Sequence, residues 1–253
     1  MIHTETRDAI TILRIDHGRA NALDTELLGQ MVQALGDAEA DGARGIVLTG
    51  TGAIFSAGVD LLQLMNGGPD YIEEFVGSLS GGLLRLFQCP LPVVAAINGH
   101  AIAGGCILAT ACDHRVMVDG RGKIGLTELA VGVPLPAAGL EIAASVIPRH
   151  HLRSLLYSAR LVSAEQALEY GLVDEVAPAE AVVERAVAVA ARLADVPPAA
   201  FSLTKQQLQQ PVLELIERQG ALHDQATLDC WRSEDSRVSI AGFLERTVGK
   251  DRG

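Results

Sequence analysis

Short apolar runs separated by glycine and proline set the rhythm of the first half of this chain. Residues 9–15 read as a strand. Residues 45–49 (GIVLT) and 93–98 (VVAAIN) are the short, unbroken apolar runs of strands covered on both faces, and 114–118 (HRVMV) gives another strand. Between them the spacing changes to that of helices. Asp24 is placed to cap a helix running to about residue 40. A second helix is predicted over 69–87, ended by the two prolines in 89–92. Residues 99–105 read as a glycine-rich turn leading into a helix over 106–111. Strand and helix alternating in this way favour parallel pairing and an α/β fold.

From Pro136 the pattern turns helical, with helices predicted over 164–170, 179–193 and 212–231 and a short strand at 173–176. Pro197-Pro198 punctuates this half. It divides the chain into a core, residues 1–196, and a helical C-terminal region, residues 197–253.

Composition narrows the function. Hydrophobic residues make up 49% of the chain but aromatics only 4%, so the core is aliphatic. A net charge of −11 without a basic run argues against nucleic acid or an anionic membrane as partner. No apolar run reaches the roughly 18 residues of a membrane span. Cys89, Cys106, Cys112 and Cys230 form no CxxC pair or zinc-type spacing, so no metal site is expected and the thiols read as buried and structural. The N-terminal residues do not read as a signal peptide, and a reducing, cytoplasmic location is the expectation.

Two familiar motifs fail. Gly50-Thr51-Gly52 follows a strand, but Phe55 stands where a dinucleotide fingerprint needs its third glycine. Ser56 has Ile54 where a nucleophile elbow needs glycine. What remains is a pair of small-residue segments just beyond apolar strands, Phe55-Ser56-Ala57-Gly58-Val59-Asp60 and Asn98-Gly99-His100-Ala101-Ile102-Ala103-Gly104-Gly105-Cys106. Such segments let a ligand reach main-chain N–H groups.

With three further segments this pair resembles the crotonase (enoyl-CoA hydratase/isomerase) family over most of the chain. Arg19-Ala20-Asn21-Ala22-Leu23 is similar to the family's early CoA-contacting segment, Ile124-Gly125-Leu126-Thr127-Glu128 to its catalytic-acid segment, and Leu172-Val173-Asp174-Glu175-Val176 to a downstream landmark. The resemblance implies a crotonase-like spiral of ββα turns, followed by a helical region that builds a homotrimer or a hexamer of paired trimers. It implies an acyl-CoA thioester substrate, with CoA as part of the substrate and no separate cofactor.

The implied chemistry is enolate formation. By the resemblance, the N–H groups of Val59 and Gly104 form an oxyanion hole for the thioester oxygen; one such donor is worth roughly 3–4 kcal/mol. Gly104, at the start of a predicted helix, gains from the helix dipole. Glu128 becomes the proton shuttle, and its apolar neighbours Leu126, Leu129, Ala130 and Val131 suggest burial and a raised pKa. Arg19, Ala20, Ala22, Ser56, Ala57, Asp60, Leu61 and Ile107 fall on the family's substrate-contacting positions. Lys205, Arg246 and Lys250 are further candidates for the CoA phosphates, although surface solubility explains each individually better.

One position departs from the hydratases. They carry a second glutamate where this chain has Ile107. A single carboxylate suffices to take a proton from C2 and return it at C4, so the motif is closest to the Δ3,Δ2-enoyl-CoA isomerases. The rivals are a hydratase whose second acid comes from elsewhere, such as Glu141, and an acyl-CoA-binding protein without activity.

Overall fold

The computed structural model describes residues 1–248. It begins with an antiparallel pair, β1 (Ile2–Arg7) and β2 (Ile10–Ile15), followed by helix α1 (Thr25–Ala40). Asp24 caps α1 as its position suggested, its Oδ1 accepting the Leu27 N–H at 2.7 Å. Three ββ units follow in sequence: β3 (Gly45–Gly50) with β4 (Ile54–Ser56), β5 (Val93–Ile97) with β6 (His100–Ile102), and β7 (His114–Val118) with β8 (Lys123–Gly125). Helix α2 (Leu61–Phe87) joins the first unit to the second, and α3 (Gly104–Thr110) joins the second to the third.

Each unit gives one strand to each of two sheets. The larger sheet has the order β1-β2-β3-β5-β7 and ends on β10 (Glu175–Ala177). The smaller has the order β4-β6-β8 and ends on the two-residue β9 (Val162–Ser163). β2, β3, β5, β7 and β10 run parallel, as do β4, β6 and β8. This is the ββα spiral expected.

The remaining helices are α4 (Ala137–Val146), α5 (Arg149–Ser158), α6 (Ala164–Glu169), α7 (Val182–Ala194), α8 (Pro198–Trp231) and α9 (Glu234–Val248). α8 leaves α7 at 102°. Among the described residues no single helix is long and apolar enough to cross a membrane.

The unbroken apolar strands follow from burial on both faces. In β5, Val94 and Ala96 pack on Ala186, Val189 and Ala190 of α7, while Val93, Ala95 and Ile97 face the main core under α1 and α2. Several elements differ from expectation. β1 shows no apolar run because it is an edge strand whose middle four residues are exposed. The expected turn at 99–105 contains β6. α2 starts eight residues early and breaks at Gly68 (φ +71), so Pro69 opens its second half. α8 starts at Pro198 and continues through Pro211, where a helix start had been expected at 212. Cys89, Cys106 and Cys112 are buried free thiols, but Cys230 is only half-buried, next to the C-terminal end of α8.

Candidate active site

The site forms where the smaller sheet ends. Beyond β4 the chain runs beside residues 20–23: the Ala57 N–H donates to the Ala20 carbonyl at 3.0 Å, Leu23 N–H to Gly58 at 2.7 Å, and Asp60 N–H to Leu23 at 2.9 Å. Leu23 and Val59 thus form a parallel bridge in which the neighbours of Val59 make the bonds. The Val59 N–H therefore points away from Leu23, and among the described residues it meets no acceptor.

Gly104, the first residue of α3, presents a second N–H that meets no acceptor among the described residues. Ala103 before it holds φ +51 and ψ −122, a conformation that costs a residue with a β-carbon about 1–3 kcal/mol. Its N–H is pinned to Gly125 in β8 at 2.8 Å. The two loops touch: a β-carbon on Gly58 (φ +84) would lie 3.2 Å from the Gly104 nitrogen and 2.7 Å from the Ile102 carbonyl, so only glycine fits there.

Glu128 follows β8 and opens a single 3-10 turn, residues Glu128–Val131. It is 5% exposed, and neither carboxylate oxygen has a hydrogen-bond partner among the described residues. Burial pushes its pKa up to about 7, with the adjacent amides of Glu128 and Thr127 opposing the shift only in part. It lies close enough to Cys106 in α3 for its charge to add to the burial that keeps that thiol protonated. Burial was expected from the neighbouring residues, but Leu129 is 49% exposed and Ala130 is exposed too. Leu126 and Val131 do turn inward, and α5 and α9 pack on this turn.

The other candidates separate into groups. Ala20, Ala22, Ala57 and Leu61 are half-buried along the 20–23/57–61 strip, and Arg19 is exposed at its end. Ser56 is fully buried, and its hydroxyl accepts the Gly58 N–H at 3.2 Å, so its side chain shapes the loop. Asp60 caps α2 through the Gln63 N–H at 2.9 Å. Ile107 is fully buried, with its Cδ1 3.3 Å from where a β-carbon on Gly139 of α4 would stand. Glu141 lies two residues further along α4, on the side away from Gly139. There it lines a cleft with Arg149, Arg153 and Arg218.

Lys205 corrects an expectation. It is 7% exposed, its ammonium 2.7 Å from Asp113 and 3.3 Å from the Leu91 carbonyl, tying α8 to the sheet instead of reaching for phosphate. Arg246 is exposed on α9, and Lys250 lies outside the described residues.

Buried Glu128 and two amides without an acceptor among the described residues, in touching loops, are the groups that the enolate chemistry implied by the sequence would use. A sequence model of the enoyl-CoA hydratase/isomerase family matches residues 5–250, and the chain belongs to that family. It is 38% identical over 254 residues to a putative enoyl-CoA hydratase of Thermus thermophilus, covering 97% of this chain and 98% of that one. It is 31% identical to the mitochondrial enoyl-CoA delta isomerase 1 of Mus musculus, covering 99% of this chain and 88% of that one. The crystal structure of human mitochondrial Δ3,Δ2-enoyl-CoA isomerase superposes with a TM-score of 0.92 at 29% identity, over 100% of this chain and 99% of that one.

Proposed function

We propose that this protein is a Δ3,Δ2-enoyl-CoA isomerase in which Glu128 is the only proton shuttle. The acyl-CoA lies along residues 19–23 and 56–61 with its thioester oxygen between the N–H groups of Val59 and Gly104. Ionised Glu128 takes a proton from C2 of a 3-enoyl thioester. The electron pair moves onto the thioester oxygen, where the two amides stabilise it. The protonated Glu128 then delivers its proton to C4, leaving a 2-enoyl thioester and a regenerated carboxylate.

The observation that carries this reading is the pairing of a partnerless Glu128 with Ile107. Apolar packing against α4 occupies the place of a second acid. A carboxyl group with a pKa near 7 suits both taking and returning a proton. The likeness to the Thermus protein favours a second reading, hydration, which needs an acid other than Ile107 or the outward-facing Glu141. A panel of 3-enoyl-CoA and 2-enoyl-CoA substrates at several chain lengths separates the two. Isomerisation should dominate, and crotonyl-CoA hydration at a matching rate would refute the proposal.

We further propose that the protein assembles into trimers, alone or paired as hexamers. Leu203, Leu208 and Leu222 on α8 are 57%, 73% and 66% exposed, more apolar surface than one helix ordinarily leaves in water. Light scattering at micromolar concentration should give a multiple of three chains.

A further inference from the structure

The turn carrying Glu128 is followed by residues 132–136, which belong to no helix or strand. A single 3-10 turn has little stability of its own. Upstream it is anchored through β8, which pairs with β6 and β9. Downstream it is held by three side chains of the C-terminal helices. The Ser236 hydroxyl of α9 lies 2.8 Å from the Gly132 carbonyl and 2.7 Å from the Cys230 carbonyl. Both carbonyls are within hydrogen-bonding distance of this hydroxyl, and that of Gly132 meets no other donor among the described residues. Trp231 Nε1 donates to the Pro134 carbonyl at 2.8 Å, and the Ala137 N–H donates to Asp224 Oδ1 at 2.9 Å.

Ser236 is 1% exposed and Trp231 2%, so these bonds are shielded from water in the intact protein. Contact is close at the backbone as well. A β-carbon on Gly132 (φ +77) would stand 2.9 Å from Ser239 Oγ.

We propose that Ser236, supported by Trp231 and Asp224, is a positioning residue for Glu128: it holds the 3-10 turn against α9 and so aims the carboxylate. The proposal rests on the reading of Glu128 as the proton shuttle. Proton transfer needs the carboxylate within about 3–3.5 Å of the reacting carbon, and a misplacement of about 1 Å costs up to a hundredfold. Glu128 itself is 5% exposed. Cys106 is the titratable group facing it from α3, and it remains un-ionised because burial raises its pKa.

The test is Ser236→Ala in the full chain, with Ser236→Thr as the conservative control. In Ser236→Ala, kcat for 3-enoyl-CoA isomerisation should fall by about tenfold or more while KM stays within about twofold. The acid limb of the kcat–pH profile should move from about 7 toward the ordinary glutamate range as water reaches the turn. Ser236→Thr should restore both. Infrared titration of the carboxyl band that is missing from Glu128→Gln follows the same group without turnover. An inactive wild type would therefore sink the isomerase reading while the titration still decides the positioning role. If Ser236→Ala does not fold, Trp231→Phe keeps the ring against Phe75, drops only the bond to Pro134, and should move kcat and the titration in the same direction. An unchanged kcat, or a Glu128 titration that stays near 7 in a folded variant, overturns the proposal.

Discussion

Leu23 touches both residues proposed as amide donors, Val59 and Gly104. Its backbone forms the bridge with Val59, and its side chain closes on Gly104, where a β-carbon would stand 2.8 Å from Leu23 Cδ1. Gly104→Ala should push Leu23 aside and misdirect one donor, lowering kcat/KM by about 100-fold. Leu23→Ala should cost about 2–5 kcal/mol of stability. Gly104→Ala in the Leu23→Ala background should then cost much less activity than it does alone. Kinetics on the four proteins check this, and strict additivity would show that the contact does not couple the donors.

Glu128→Gln should abolish isomerisation while acyl-CoA affinity, read by calorimetry, changes little. In the wild type the base must be ionised, so kcat should rise with pH through about 7 and level off above it. Stability should run the other way. The folded state raises this pKa from 4.5 to about 7, so it binds the proton more tightly than the unfolded chain. That contribution is fully present below 4.5 and is lost as pH rises through about 7. At pH 8 Glu128→Gln should therefore be more stable than wild type by up to about 3 kcal/mol, with the advantage fading toward pH 4.5. Denaturant melts at the two pH values measure the difference.

Ile107→Glu introduces a second carboxylate beside Gly139. It should raise crotonyl-CoA hydration relative to isomerisation, at a cost in stability because the new group is buried without a partner. The ratio of the two activities, corrected for folded protein, is the readout. An unchanged ratio in a folded variant would mean that Ile107 does not face the reacting carbons.

Lys205→Ala separates a structural lysine from a CoA ligand. It strands Asp113, whose carboxyl is already pushed up by burial against the pull of Lys205. Breaking a buried pair in this way costs about 3–5 kcal/mol. Acyl-CoA affinity per folded molecule should be unchanged, and calorimetry on the folded fraction checks it.

The elements that residue pattern announces are those whose burial is complete or whose caps are local. β3 and β5 stand out as apolar runs because both faces are covered, and α1 because Asp24 caps it from one residue away. β4, β6 and β8 are three residues long, too short for any period, and exist because they pair with one another across turns of the spiral. Proline misled twice: Pro69 follows a break between two helical halves, and Pro211 lies within a helix that continues past it. At the proposed site, Val59, Gly104 and Glu128 were named through family motifs alone. The burial of Glu128 was anticipated from its apolar neighbours and holds, although of the four Leu126 and Val131 face the core while Leu129 and Ala130 are exposed. Lys205 could not be separated from the phosphate candidates by type or spacing; only its distance to Asp113 does that.

The bonds that fix the turn after Glu128 close long stretches of chain: 104 residues separate Ser236 from Gly132, 97 separate Trp231 from Pro134, and 87 separate Asp224 from Ala137. Contacts so distant along the chain are slow to form, because the entropy of closing the loop is lost before any contact rewards it. The spiral can assemble from neighbouring turns, but the acid of the site waits for the last helices to dock. During refolding, secondary structure should therefore recover before activity does, and a chain still being synthesised carries its proposed catalytic groups well before it can use them.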